Sequence, residues 1–172
     1  MVPKIFLGIF SIVLSFTVVI VPSKSSAQSA PFAIGGAAGV EFPFAHGRDY
    51  DPGIAVEAFF RKDPYELRFH FADTKTQSYS VLLGIKHFLS NTSVRPYVEA
   101  AAGPTIVDSK GRGLGYGLRP EATLGADLGL SRHLSFGAAA RYFGMIYFGD
   151  TNSGNMEAQH GLDLLFNVVV WF

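Results

Sequence analysis

Residues 65–71 read YELRFHF, and the order of polar and apolar side chains in this stretch decides the fold. In an extended chain Tyr65, Leu67, Phe69 and Phe71 fall on one face, and Glu66, Arg68 and His70 on the other. A helical period of 3.6 would mix the two sets, so the run reads as a strand with one apolar and one charged side.

The same alternation recurs on both sides of this run. Toward the C-terminus, Leu162, Leu164, Phe166, Val168, Val170 and Phe172 share a face opposite Asp163, Leu165, Asn167, Val169 and Trp171. Toward the N-terminus, Ile34, Val40 and Phe42 alternate with Gly35, Gly39 and Glu41, and Ile54, Val56 and Phe60 alternate with Glu57, Phe59 and Arg61. Further runs set Tyr79, Val81 and Ile85 against Ser80 and Lys86, and Val98 against Tyr97 and Glu99. Leu124 and Leu128 oppose Glu121 and Asp127, and Leu134, Phe136 and Tyr142 oppose Ser135, Arg141 and Phe143. Each run is about 9–12 residues, the length of a tilted strand crossing a hydrocarbon layer. Eight runs predict an antiparallel up-and-down transmembrane β-barrel of the smallest even size.

The connections give a separate test. Those at 62–64, 90–93 and 131–133 are short, whereas those at 45–52, 72–77, 106–116 and 149–159 are longer and polar. Short turns on one side and long loops on the other match an outer-membrane barrel with both termini periplasmic. Pro120 interrupts this scheme, since it has no N–H for a ladder, and it marks the start of a strand or a bulge.

The N-terminus explains how such a barrel would reach its membrane. Lys4 precedes an apolar run from Ile5 to Val21, and a small-residue site at Ser25 and Ala27 follows, the layout of a secretory signal peptide over residues 1–27. Cleavage after Ala30 is the other option, and a retained membrane anchor is the competing reading. Residues 28–172, about 145 in all, suit one domain. The chain has no cysteine, which excludes disulfides, a thiolate metal site and a lipidated N-terminal cysteine. It has no basic cluster, which removes the electrostatic footprint of a nucleic-acid binder.

If the apolar faces meet lipid, the other faces fill the lumen. That side collects Glu41, Glu57, Glu66, Glu99, Glu121, Asp127 and Asp163, with Arg61, Arg68, Lys86, Arg119, Arg141 and His70. The segregation has an energetic cause, because Arg or Lys facing mid-bilayer lipid costs about 2–4 kcal/mol. In an eight-stranded barrel the lumen is just wide enough for side chains, so the charges must pair. The small residues Gly35, Ala37 and Gly39 are expected to make room for cations from opposite strands. A structural plug of ion pairs is favoured over an ion path. Aromatics near strand ends, among them Phe44, Tyr50, Tyr65, Tyr79, Tyr142, Tyr147 and Phe148, read as interfacial girdles.

The stretch RPYVEAAAGP (Arg95 to Pro104) and the ending LLFNVVVWF (Leu164 to Phe172) resemble the small eight-stranded outer-membrane β-barrel superfamily. That superfamily includes the transmembrane domain of outer membrane protein A. The resemblance implies that Phe172, with Phe166, Val168 and Val170 before it, signals to the barrel assembly machinery. The expected setting is outer-membrane lipid and lipopolysaccharide, with the chain as a monomer. It also raises an enzymatic possibility, since some barrels of this size hydrolyse lipid A with a His and a Ser two residues later. Here the residue two after His160 is Leu162, so that nucleophile is missing. A triad of Ser153, His160 and Glu157 would rest on loop residues with no fixed geometry.

No catalytic residues, cofactor or metal site are expected, since no pair of histidines has metal-ligand spacing on one face. The glycines of GRGLGYG (Gly111 to Gly117) lack the strand–loop–helix context of a phosphate loop. The expected function is structural, or surface interaction through the long loops. The alternatives are a narrow pore, a lipid A hydrolase, or a soluble periplasmic barrel binding an apolar ligand with its charged face outward.

Overall fold

The computed structural model describes residues 32–44, 51–90, 92–108, 114–149 and 159–172. The expected signal peptide and its cleavage sites lie outside these residues, as do Tyr50, Ser153 and Glu157. Eight strands follow one another: β1 (Ala33–Phe44), β2 (Gly53–Lys62), β3 (Tyr65–Asp73), β4 (Gln77–Phe88), β5 (Val94–Asp108), β6 (Leu114–Gly129), β7 (Leu134–Gly149) and β8 (Gln159–Trp171). Each pairs with its neighbour in sequence, and β1 pairs antiparallel with β8 to close a barrel. Closure leaves no sheet edge, so backbone donors and acceptors are matched between strands except at local interruptions.

The period-two pattern sets the orientation. Ile54, Leu83 and Leu124 point outward and are more than 60 % exposed, and the neighbouring positions of each strand point into the lumen. Glu66, Arg68 and Lys86 are each 2 % exposed. The interior is therefore charged and the exterior apolar, which overturns the soluble alternative with its charged face outward.

Two features differ from the sequence expectation. On the rim that carries Ala33 and Trp171, the connections are 63–64, 89–93 and 130–133. On the opposite, distal rim they are 45–52, 74–76, 109–113 and 150–158. The connection expected at 72–77 is a tight turn at 74–76, closed by the Thr74 N–H donating to the Thr76 carbonyl at 3.0 Å. The one expected at 106–116 shrinks to 109–113, because Ile106, Leu114 and Tyr116 continue the outward apolar face of β5 and β6. Two of the four expected long loops remain long, 45–52 and 150–158.

The second difference concerns proline. The sixth strand does not start at Pro120; it begins at Leu114, and Pro120 sits within it opposite Ala102 of β5. Toward β7 the pairing passes from Leu118↔Ile146 to Glu121↔Phe143, with nothing paired between. A missing proline N–H accounts for this gap. The register shift itself lies earlier, at Tyr116/Gly117. Pro104 in β5 coincides with a similar gap, where pairing with β4 passes from Ser80↔Thr105 to Leu83↔Ala102.

Candidate functional site

The barrel centre is a connected cluster of ion pairs contributed by seven of the eight strands. Arg119 on β6 donates from Nε to Glu121 at 2.6 Å, from Nη1 to Glu41 at 2.9 Å and from Nη2 to Asp163 at 2.8 Å. Arg68 on β3 reaches Glu66 at 2.7 Å and Glu121 at 2.8 Å, and also bonds Glu99. Arg141 on β7 bonds Glu57 with both terminal nitrogens and Thr123 from Nε at 3.2 Å. His70 stands between two carboxylates, with Nδ1 2.8 Å from Glu57 Oε1 and Nε2 3.3 Å from Glu41 Oε2. These side chains are all buried. At this burial an ion pair persists only because several hydrogen bonds offset the loss of hydration.

Nearer the proximal rim the pairing is looser. Arg61 donates to Glu66 at 2.6 Å, while Asp127 lies 3.7 Å from Arg61 and 3.8 Å from Lys86. Neither Asp127 oxygen has a hydrogen-bond partner. All thirteen charged or imidazole residues read from the sequence as lumenal thus share one interior. Arg95 joins them, stacked 4.8 Å over the Phe88 ring and 4.9 Å over Trp171. Its parity matches Tyr97 and Glu99, which also face inward.

The sequence reading also missed two apolar seals. Phe59, Val169 and Trp171 close the proximal end with Ala33, and Phe88 packs against them. Val107, Phe143 and Met145 close the distal end with Tyr147 packed on them. Tyr147 is therefore not a girdle residue; its hydroxyl lies 2.9 Å from Gln159 Oε1. The Phe143 ring lies 3.9 Å beneath the Arg119 guanidinium, a cation–π contact at the border between seal and charge cluster. Apolar residues on the inner face break the expected contrast between faces, which is why pattern reading passed over them.

Three inward glycines make room for these rings. Gly35 lies opposite Phe59, Gly125 opposite Tyr97, and Gly161 opposite Phe143 in the ladders. A Cβ at each would fall within 2.5 Å of the facing ring. The space at Gly35 is thus filled by an aromatic ring and not by a cation, because the cross-strand neighbour is nearer than any side chain from across the barrel. Between the seals, a cavity lined by Ala37, Glu57, Arg68, Glu99, Arg141 and Asn167 leaves about 10 Å³ of room for water. That is the scale of one water molecule.

On the outside, Phe166 is half-buried, and Val168, Val170 and Phe172 are exposed along the outer face of β8 and its end. His160 lies on β8 near the distal rim, with its ring 5.8 Å from that of Phe44 and 5.9 Å from that of Tyr142. The candidate triad partners of His160 fall outside the described residues.

A closed eight-stranded barrel with an apolar exterior and a charged, filled lumen is the fold of the small outer-membrane β-barrels. Comparison with solved structures agrees. The chain is similar to Neisserial surface protein A (NspA) at 14 % identity and a TM-score of 0.65, covering 83 % of this chain and 98 % of that one. It is also similar to the N-terminal β-barrel domain of Pseudomonas aeruginosa OprF, at 14 % identity and a TM-score of 0.50, with the same coverage. At this identity the likeness is one of fold. No family model matches the sequence, and no curated protein matches it.

Proposed function

We propose that the protein is an exported, monomeric outer-membrane barrel whose lumen is a structural plug and whose role lies in surface interaction. The observation that carries this reading is the joint one of an apolar exterior and a multi-strand ion-pair cluster sealed between two apolar layers. An Arg-rich interior held by carboxylates on several strands locks the barrel closed, and the cavity among them has room for about one water molecule. Lipid and lipopolysaccharide surround the exterior, and the β8 face ending at Phe172 serves as the assembly signal. The distal connections 45–52 and 150–158 are the longest in sequence between strands, and recognition on rigid scaffolds belongs to loops. The reading is non-catalytic. The His160 ring is bracketed by aromatic rings, a girdle-like setting.

The test is a set of variants with 45–52 or 150–158 shortened, assayed for folding and for adhesion of expressing cells to host or bacterial surfaces. Loss of adhesion with the barrel intact supports the reading. Unchanged adhesion, or a change in lipid A mass that His160→Ala abolishes, contradicts it.

A further inference from the structure

We propose that the barrel centre binds one divalent transition-metal ion of the Zn²⁺ type through Glu41, His70 and Asp163, with Glu57 orienting the imidazole. The three residues come from β1, β3 and β8, and one ligand atom from each lies within 4.8 Å of the others. They are fully or nearly fully buried. Their wide separation in sequence is why ligand spacing did not reveal them.

His70 supplies the first argument. Both ring nitrogens face carboxylate oxygens, Nδ1 toward Glu57 and Nε2 toward Glu41. A neutral imidazole has one N–H, so its other nitrogen meets a carboxylate lone pair to lone pair unless the ring carries a second proton or a metal ion lies between them. Metal-bound histidines donate their other N–H to a carboxylate, a backbone carbonyl or water, and Glu57 at 2.8 Å stands in that position. Asp163 supplies the second. Its Oδ2 accepts from Arg119, whereas its Oδ1 is buried with no hydrogen-bond partner.

The third argument is charge. Glu41, Glu57, Glu121 and Asp163 surround the guanidiniums of Arg119 and Arg141. Arg68 is divided among Glu66, Glu99 and Glu121, with Glu57 further off at 3.6 Å. Over the whole interior seven carboxylates face six cations once Arg61, Lys86, Arg95 and Asp127 are counted, so one positive charge is missing, which a proton on His70 or a bound cation would supply. An imidazole with two carboxylates suits Zn²⁺, Co²⁺ or Ni²⁺ better than Mg²⁺ or Ca²⁺. Zinc bonds to N and O of about 2.0–2.2 Å would draw the three ligands inward from their present spacing. Arg119 remains bonded to Glu41 and Asp163, sharing those carboxylates with the ion. Apolar layers lie on either side of the site, so the ion is supplied while the barrel folds.

The test folds the chain from its denatured state into detergent micelles with Co²⁺ or Zn²⁺, followed by a chelator wash and gel filtration. The expected result is about one ion per folded barrel. His70→Asn and Asp163→Asn are expected to fall to less than a tenth of that while keeping the mobility of a folded barrel. Asp127→Asn keeps the ion, and Glu57→Gln weakens its affinity by about 10–100-fold. If the ligand variants fail to fold, X-ray absorption of the wild-type Co²⁺ form decides. One imidazole with carboxylate oxygens supports the site; several imidazoles, or water alone, overturns it. A folded wild-type barrel without an ion, its cluster balanced by protons, also overturns it, as does retention of the ion by His70→Asn or Asp163→Asn.

Discussion

Arg119 donates to Glu41, Glu121 and Asp163, and so ties β6 to β1 and β8 through the middle of the barrel. Removing its guanidinium takes a charged donor from three buried carboxylates and leaves Glu41 and Asp163 with only the longer contacts to His70 and Arg141. Arg119→Ala is therefore expected to lower folding stability by about 3–5 kcal/mol, read as a lower urea midpoint of refolding into micelles. The same substitution at the exposed Lys75 is expected to change the midpoint little, since its contact with Asp51 is solvated. The inward glycines make a second residue-scale prediction. Gly125→Ala places a methyl 2.4 Å from Tyr97 Cζ and is expected to cost about 1–3 kcal/mol. Adding Tyr97→Ala should recover part of that loss, because the two sites share one contact, and a double-mutant cycle measures it.

Along a strand, cost should follow depth and face. Leu83 is 63 % exposed on the outer face of β4, well inside the strand, and Leu83→Arg is expected to cost about 2–4 kcal/mol in a bilayer. Tyr79→Arg, nearer the distal rim on the same face, should cost about 0–1 kcal/mol, and refolding titrations in lipid vesicles compare the two. The faces were legible because period two is a strong signal over YELRFHF and over the last eleven residues. Strand extents were less legible. Pro96 and Pro104 lie within β5 and Pro120 within β6, and a residue lacking an N–H reads as a breaker in one dimension. In the barrel the neighbouring strands tolerate a local gap in pairing, so the strands run on past these prolines.

For the whole molecule, closure converts a list of charges into a network. Parity alone sends Arg119, Glu41 and Asp163 inward, but which carboxylate meets which guanidinium depends on register and on the β1–β8 junction, neither of which is local. The Glu41–His70–Asp163 cluster was illegible for the same reason, whereas the apolar seals were hidden because they blur the contrast between the two faces. A plugged lumen predicts that purified barrels in planar bilayers give no discrete conductance steps, and that Arg68→Ala and Arg141→Ala expose any latent path by removing the plug. Steady conductance by the intact protein would favour the pore. The central claim, a closed barrel in the outer membrane, is tested most directly by running membrane fractions of expressing cells unheated and boiled in detergent. A closed barrel should run in the outer-membrane fraction with a mobility that shifts sharply on boiling; a soluble periplasmic protein with no shift would rule it out.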